Sequence, residues 1–381
     1  MSEFHIAMLI DRFPAPSESF IVRQALSLPC TILAGTLDED SRQPFDGPVV
    51  HVGNLSRGFR HSRFKRGVYR IAPKLRSWRF EDSVEQRVMR AIQELMPNVV
   101  LAQFGPNGIR IARICRELAI PFVIHFHGYD LSSLINFQSY RNEICDAVQS
   151  CSAVVVVSDE MRRTAIGMGI DSEKVHLIPY GVPVAEFSSG RHVGEQPCQF
   201  IAVGRLVPKK DPLTTLLAFH MCQQRVPNVG LTFIGDGPLM AQAETFVRER
   251  EVRNVTLKGV QPNAVVCESL QRAGCFLQHS VTAPSGDKEG WPVAIGEAMA
   301  CGLPIISTKH AGIVDQVVHG ENGFLTDEHD VQAMASHMIT LAQDADLRQR
   351  MGVASRKRIE AVGDFSNSSA KLRDLLQSIA N

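Results

Sequence analysis

The feature that most constrains the fold is an alternation, repeated along the chain, between short apolar runs and longer amphipathic runs. HIAMLI (5–10), AVVVVS (153–158) and QFIAVG (199–204) are apolar runs, and VEQRVMRAIQELM (84–96) is an amphipathic one. Short strands that are apolar throughout are buried on both faces, as in parallel sheets covered by helices. The sequence therefore predicts an α/β protein built on parallel sheets.

The alternation is interrupted at PVAEFSSGRHVGEQP (183–197), where Gly, Pro, Ser and charged residues cluster. A chain of 381 residues is too long for one ordinary hydrophobic core, so this interruption indicates a linker. We predict two doubly wound, Rossmann-like domains that face each other across a cleft, one over 1–185 and one over 197–362. The last segment, 363–381, is predicted to be a helix that crosses back to the N-terminal domain.

Charge and cysteine content narrow the class of protein. Lys+Arg and Asp+Glu are both 40, so the net charge is +0 and the chain as a whole is not a binder of polyanions. No nucleic-acid-binding motif is present, and we predict no nucleic-acid partner. The nine cysteines are scattered without a CxxC pair, which predicts reduced, buried thiols in a cytoplasmic protein. The first apolar run is too short for a signal peptide or a membrane span.

Two carboxylates flank a tight turn in EGWPVAIGEAMACGLPIIST (289–308). Glu289 precedes Gly-Trp-Pro, and Glu297 lies in the helical run that follows. Free N–H groups at a helix start suit an anion, and carboxylates accept hydrogen bonds from hydroxyls. The pattern indicates a hydroxyl-rich, anionic ligand such as a sugar diphosphate. The spacing alone is equally compatible with a solvated loop Glu and an ordinary helix Glu.

A pair of cations follows another predicted strand, in VGRLVPKKDP (203–212). Arg205 and Lys210 lie at its carboxyl end, where ligands bind in doubly wound sheets. Fixed cations there are natural partners of a diphosphate, although two ordinary surface cations would have the same pattern. Because they balance leaving-group charge and no DxD pair precedes the cleft, we expect no metal to be needed.

HFHGYD (125–130) ends a predicted strand of the first domain. We expect His125 and His127 to lie on opposite faces, which would exclude a ready-made metal pair. We predict that His127, beside Gly128, faces the cleft. The alternative for His127 is a hydrogen-bonded, purely structural residue.

Taken together, these stretches resemble the retaining, nucleotide-sugar-dependent glycosyltransferases of family four. The resemblance covers nearly the whole chain and rests on VGRLVPKKDP, HFHGYD, GDGPL, and the 289–308 block with HAGIVDQVVHGENGFL after it. It implies the GT-B fold and a hexosyltransferase that uses its nucleotide sugar as a substrate and needs no cofactor. PAPSESF, HFHGYD and APSGDKEGWPVA are similar to the colanic acid and amylovoran branch, which builds exopolysaccharides. One departure is Lys210-Asp211, where members often carry Lys-Gly.

The resemblance also implies roles for the candidate residues. Glu289 would bind the transferred sugar, Glu297 the ribose hydroxyls, and Arg205 with Lys210 the diphosphate. His127 would lie on the acceptor side near the reacting centre. The amides that would orient the sugar belong to Gly290, Trp291 and Val293.

One segment, RGFRHSRFKRGVYRIAPKLRSWR (57–79), combines nine Lys/Arg with interleaved aromatic residues and no acid. Such a stretch is typical of an interfacial membrane site or a polyanion patch, and the alternative is a solvated basic loop. We predict peripheral association with the inner face of the cytoplasmic membrane and contact with a lipid-linked saccharide acceptor. The basic residues assigned to this contact are Arg57, Arg60, Arg63, Lys65, Arg66 and Arg70.

The leading hypothesis is a retaining transfer of a sugar from a UDP- or GDP-sugar to a lipid-linked saccharide in exopolysaccharide biosynthesis. Two alternatives on the same scaffold are a nucleotide-sugar epimerase and a phosphorylase, although no stretch marks the pyridoxal-bearing lysine that a phosphorylase needs. A third alternative is a peripheral membrane scaffold without catalysis. Transfer of a labelled sugar to an acceptor separates these hypotheses.

Overall fold

The computed structural model describes residues 4–15, 18–37, 45–55, 83–187, 195 and 197–380. The described residues form two sheets, one of seven strands and one of six, and every strand pair in both is parallel. The predicted α/β class is therefore confirmed. The basic segment 57–79, with the six cations assigned to membrane contact, lies outside the described residues.

The first sheet has the strand order β3-β2-β1-β4-β5-β6-β7, in which the chain runs from the centre to one edge and then to the other. The three strands β4, β5 and β6 are buried along their whole length, because helices cover both faces. The strands are β1 Ile6–Phe13, β2 Cys30–Leu37, β3 Val49–His51, β4 Val99–Gln103, β5 Phe122–His125, β6 Ala153–Val156 and β7 Val175–Leu177.

Amphipathic runs between these strands form the covering helices. The second of them begins with a capping box, in which the Ser83 hydroxyl accepts from the Gln86 N–H and the Gln86 side chain accepts from the Ser83 N–H. The helices are α1 Ser19–Ser27, α2 Val84–Leu95, α3 Gly105–Leu118, α4 Gln138–Ser150 and α5 Asp159–Gly167.

The second sheet has the order β10-β9-β8-β11-β12-β13. Its last strand was not predicted, because GFLT is only four residues long and its apolar residues do not extend beyond two. The strands are β8 Gln199–Val203, β9 Gly230–Ile234, β10 Val255–Leu257, β11 Cys275–Leu277, β12 Ile305–Thr308 and β13 Gly323–Thr326. The helices around this sheet are α6 Pro212–Arg225, α7 Met240–Glu249, α8 Asn263–Gln271, α9 Val293–Ala300, α10 Ile313–Gln316, α11 Val331–Gln343 and α12 Ala345–Val362.

The last helix, α13 Phe365–Ala380, packs against the first sheet rather than the second. Leu372 and Leu376 are buried in the same apolar cluster as Ile6 and Met8 of β1, and the Ser369 hydroxyl lies 2.7 Å from that of Ser27. Its cap is the Asp364 carboxylate, which accepts from the N–H groups of the first turn. The chain therefore crosses from the second sheet back to the first.

All nine cysteines are free, and seven of them are buried. Burial in apolar surroundings raises the pKa of Cys30 and of Cys115 to about 12. These thiols stay protonated and behave as small apolar side chains, and the burial of seven cysteines agrees with the prediction.

Candidate active site

A cavity of about 610 Å³ lies where the carboxyl ends of strands from both sheets meet. Residues after β1, β4, β5 and β7 form one wall, and residues after β8 and β11 form the other. Parallel doubly wound sheets bind ligands at this edge because the loops that follow the strands converge there. The predicted cleft between the two halves of the chain is therefore present.

The loop after β8 supplies the cations of the donor wall. Arg205 and Lys210 both line the cavity, as predicted. Asp211 has a φ of 32°, a left-handed conformation that favours glycine. Its carboxylate compensates by capping α6, accepting from the Thr214 N–H at 3.2 Å. Aspartate in place of the family's usual glycine thus keeps the turn that follows Lys210.

Lys210 and Glu289 form a buried ion pair, with Nζ 3.0 Å from Oε1. Burial alone would raise the pKa of the Glu289 carboxyl, but Lys210 and Lys209 outweigh it and hold that pKa at about 2. Burial lowers the pKa of the Lys210 ammonium, and Glu289 opposes this shift. Glu289 is therefore an ionised acceptor of hydrogen bonds at any ordinary pH.

His310 positions the peptide of Glu289. Its Nε2 accepts from the Glu289 N–H at 3.2 Å, and its Nδ1 lies 2.7 Å from the Glu328 carboxylate. Because Nε2 is an acceptor, Nδ1 carries the proton and donates a hydrogen bond to the Glu328 carboxylate. These two hydrogen bonds hold the backbone of Glu289, and with it the Glu289 carboxylate, from the far side of the loop. Sequence reasoning did not identify this contact. The sequence signal for the contact between His310 and Glu328 was weak, because the two residues are eighteen positions apart in separate loops.

The turn after Glu289 presents a row of peptide N–H groups to the cavity. Gly290, Trp291, Val293 and Ala294 line it, and their N–H groups have no acceptor in the part of the chain that the structure describes. The first N–H groups of α9 are free because a helix start has no intrahelical acceptor for them. These amides and the positive end of α9 suit a negatively charged or hydroxyl-rich ligand.

Gly290 is glycine because the two walls approach each other closely at this point. A Cβ here would lie 2.5 Å from the carbonyl oxygen of His127, in the opposite domain. At Gly312 a Cβ would lie 1.8 Å from the Gly290 carbonyl oxygen. A larger side chain at either position strains these contacts, and Gly290 sets the closest approach between the donor loop and the His127 loop.

His127 lies on the wall opposite the cations and lines the cavity, as predicted. Its Nε2 is 2.7 Å from the side-chain Oε1 of Gln103 and its Nδ1 is 2.9 Å from the Tyr180 hydroxyl. Burial, followed by the neighbouring His125, lowers the pKa of His127 well below its usual range. The imidazole is neutral, and both of its nitrogens are already hydrogen-bonded.

The prediction that His125 and His127 face opposite sides was wrong. Residues two apart on a strand share a face, and although β5 ends at His125 the two ring centroids are only 4.3 Å apart. The loop is held by the buried Asp130 carboxylate, which accepts from the N–H groups of His127, Gly128 and Gly105. Burial lowers the pKa of His125 to about 3, so this ring is also neutral.

Glu297 does not line the cavity. Its carboxylate pairs with Arg23 of α1, from the other domain, at 3.2 Å. Burial raises the pKa of Glu297, and Arg23 opposes that shift. A ligand that uses this carboxylate must share it with the guanidinium or displace it. Sequence reasoning could not find this contact, since the partners are 274 residues apart.

A further carboxylate, Glu18, lines the cavity beside Phe20 and was not among the predicted site residues. It stands at the N-cap of α1, in PAPSESF. Tyr180 was also missed, and it lines the cavity while its ring stacks on Phe20 at 3.9 Å. A Glu at the start of a helix is too common to have indicated a site.

Comparison with known proteins identifies the class. Residues 40–186 match Glycosyltransferase Family 4, and residues 186–358 match Glycosyl transferases group 1. The chain is 31% identical over 318 residues to the putative colanic acid biosynthesis glycosyltransferase WcaL of Salmonella typhimurium, covering 79% of this chain and 77% of that protein. The chain belongs to the glycosyltransferases of family four. The amylovoran biosynthesis glycosyltransferase AmsK of Erwinia amylovora is 30% identical over 289 residues, 74% of this chain and 70% of that protein.

Solved structures show that this family-four glycosyltransferase has the GT-B fold. HepE of Anabaena in complex with UDP superimposes with a TM-score of 0.76 at 16% identity, over 99% of this chain and 100% of that one. Sucrose-phosphate synthase from Thermosynechococcus elongatus gives a TM-score of 0.75 at 15% identity, over 99% of both chains. The predicted pair of Rossmann-like units facing across a cleft is confirmed by these likenesses.

None of the helices that the structure describes is long and apolar enough to cross a bilayer. In the same residues, no three side chains of His, Cys, Asp or Glu come together as a group that could hold a metal ion.

Proposed function

We propose that this glycosyltransferase moves a hexose from a UDP- or GDP-sugar to a lipid-linked saccharide, with retention of anomeric configuration and with neither metal nor other cofactor. Arg205, Lys210 and Glu289 line the same cavity as the free N–H groups in the 290–294 turn, and this observation carries the proposal. Cations, amides and an ionised carboxylate are together complementary to a sugar diphosphate.

Each group has a task in this proposal. Arg205 and Lys210 hold the diphosphate and stabilise the charge that develops on it as the sugar leaves, in place of a metal. Glu289 accepts hydrogen bonds from the hydroxyls of the transferred sugar, and the free amides fix its orientation. His127 contacts the same sugar from the acceptor side. Glu297 takes the ribose hydroxyls once Arg23 has moved aside.

The proposed acceptor and pathway rest on relatives and on the basic segment. The relatives named above are described as colanic acid and amylovoran biosynthesis enzymes, which supports a role in exopolysaccharide synthesis. Structures of HepE hold UDP or UDP-glucose, which supports a UDP-sugar as the first donor to try. Segment 57–79 supports a lipid-diphosphate-linked acceptor at the inner face of the cytoplasmic membrane, because its cations suit phosphates and its aromatic residues suit a headgroup layer.

The test is transfer from labelled UDP- and GDP-hexoses to lipid-diphosphate-linked saccharides in the presence of EDTA. We expect one donor to give a product with the anomeric configuration of that donor, measured by NMR, and Lys210→Met to abolish it. A product of inverted configuration would contradict retention. Loss of transfer in EDTA that a divalent ion restores would contradict metal independence. Epimerised donor without transfer would favour the epimerase alternative.

The membrane part has its own test. We expect the protein to sediment with vesicles that contain phosphatidylglycerol, and less so as salt rises, because screening weakens attraction to an anionic surface. Replacing the six assigned cations by glutamine is expected to abolish sedimentation. Equal sedimentation of both proteins would contradict the assignment.

A further inference from the structure

Lys288, the residue before Glu289, is held by polar contacts from both domains. Its ammonium pairs with the Glu160 carboxylate of α5, in the first domain, with Nζ 2.7 Å from Oε1. Its N–H donates to the Ser132 hydroxyl at 3.2 Å, in the segment that follows β5. Its carbonyl oxygen accepts from the Lys209 ammonium of its own domain, also at 3.2 Å. The backbone and the side chain of Lys288 therefore both have partners across the cleft.

The two partners in the first domain are themselves held in place. The Ser132 hydroxyl, which accepts from Lys288, donates to the Gly128 carbonyl oxygen at 2.9 Å, so its orientation is set within the loop that carries His127. Glu160 lies in the first turn of α5, where the helix dipole favours a carboxylate. Lys288 is thus anchored to two defined points of the first domain.

The rest of the loop that leads to Glu289 is tied to the donor wall of its own domain. The Val281 N–H donates to the Lys209 carbonyl oxygen at 2.8 Å, and the Lys209 ammonium lies 3.2 Å from the Asp287 carboxylate. Because Lys209 precedes Lys210, these contacts set how far the loop lies from the cations. The position of the loop relative to the first domain is set at Lys288.

The peptide that joins Lys288 to Glu289 links these contacts to the carboxylate of the donor site. The carbonyl oxygen of Lys288 and the N–H of Glu289 share one peptide plane, so a shift of Lys288 moves Glu289 with it. Glu289 lines the active cavity and also a second cavity of about 280 Å³, which is lined by Ser132, Glu160 and Lys288 as well. A hydrogen bond weakens steeply when its distance and angle change, so the carboxylate binds well only in one place.

We propose that Lys288 is a positioning residue through which the first domain, by Glu160 and Ser132, sets the place of the Glu289 carboxylate. The inference rests on the proposed function, in which Glu289 binds the hydroxyls of the transferred sugar. The sugar part of the donor site is then complete only where the two domains are in contact at Lys288. The diphosphate part does not depend on that contact, because its cations belong to the second domain alone.

The first test is calorimetry of UDP and a UDP-hexose, and of GDP and a GDP-hexose, without acceptor. We expect Lys288→Met and Glu160→Ala to bind the nucleotide sugar about tenfold more weakly than wild type, as loss of a well-placed bond to a charged group predicts. Affinity for the nucleoside diphosphate is expected to stay within about threefold. The control Arg272→Met, which breaks an exposed pair with Glu268 inside the second domain, should match wild type with both ligands.

The same substitution in the Glu289→Gln background shows whether Lys288 acts through Glu289. Lys288→Met is expected to cause no further loss of nucleotide-sugar affinity there, because the group that it positions is already gone. A full additional loss in this background would overturn the proposal. So would equal losses for the nucleoside diphosphate and its sugar, which would place Lys288 on the phosphates, or wild-type binding by Lys288→Met.

Hydrogen exchange separates failure of this inference from failure of the proposed function, because it needs no ligand. We expect the backbone amides of residues 286–289 to exchange about fivefold faster in Lys288→Met than in wild type, and at the wild-type rate in Arg272→Met. Unchanged exchange would overturn the positioning role whatever the protein binds. If exchange is faster but wild type binds no nucleotide sugar, the proposed function fails, while the anchoring of this loop by the first domain is supported.

Discussion

At the scale of single residues, the pair of Lys210 and Glu289 sets the charge of the donor wall. Glu289 is only 8% exposed, and a buried carboxylate is stable only if it is paired. Because the pKa of Glu289 is about 2 in the folded protein and ordinarily near 4.5, the folded state favours the ionised form. The resulting stabilisation is present above about pH 4.5 and is lost as pH falls towards 2.

We therefore predict that the difference in unfolding free energy between wild type and Glu289→Gln depends on pH in the acid range. As pH falls from 6 to about 3, wild type should lose about 2 kcal/mol relative to the variant. Urea unfolding of both proteins at several pH values measures this difference. A difference that stays constant over the range would show that Glu289 is not held ionised by its neighbours.

At the scale of elements, the close approach of two loops fixes the cavity. The turn of Gly290 before α9 touches the His127 loop after β5, and a Cβ at Gly290 would lie 2.5 Å from the His127 carbonyl oxygen. An alanine there must push the loops apart by a large fraction of an ångström. Misplacement on this scale separates reacting groups that must be held in contact.

We predict that Gly290→Ala lowers kcat about 100-fold while the protein stays folded. The matched control is Gly167→Ala at the end of α5, where a Cβ meets nothing within 4 Å. This control should keep wild-type activity and gain a little stability, since alanine is the better helix former by about 0.5–1 kcal/mol. Circular dichroism and turnover rates report both effects. Equal activity of both variants would mean that the loops do not fix the catalytic geometry.

The elements also show how far sequence reasoning reaches. Parallel strands and covering helices were predictable because buried strands are apolar throughout, and the strand ends that carry Arg205, Lys210 and Glu289 were therefore predictable too. The arrangement of the loop after β5 was not, since it is set by hydrogen bonds such as those that the Asp130 carboxylate accepts from the His127 and Gly128 N–H groups. That His125 and His127 lie on one side was predictable, because residues two apart on a strand share a face.

At the scale of the whole molecule, the two domains are joined by ion pairs across the cleft. Lys288 pairs with Glu160 at 2.7 Å, and Arg23 pairs with Glu297 at 3.2 Å. The second pair covers the carboxylate proposed to hold the ribose. Local sequence patterns could not predict either pair, because each depends on how the domains are arranged in space.

We predict that Arg23→Met tightens binding of the preferred nucleoside diphosphate by about fivefold, because Glu297 no longer has to release a guanidinium worth about 1 kcal/mol. The same substitution in the Glu297→Gln background should have no effect on affinity. Calorimetric titration of wild type, the two single variants and the double variant completes this double-mutant cycle. Weaker binding by Arg23→Met would mean that Arg23 contacts the nucleotide itself, and the proposed displacement would be wrong.

We propose that the cavity between the domains binds a nucleoside diphosphate without a metal, and that Lys210 is the residue on which this binding most depends. The most direct measurement is calorimetry of UDP and GDP binding in EDTA, with wild type, Lys210→Met and the exposed control Lys357→Met. We predict that one nucleotide binds wild type and the control equally and binds Lys210→Met at least about tenfold more weakly, as loss of a charged contact worth about 1.4 kcal/mol or more requires. Binding that is absent from wild type, or unchanged in Lys210→Met, would contradict the claim.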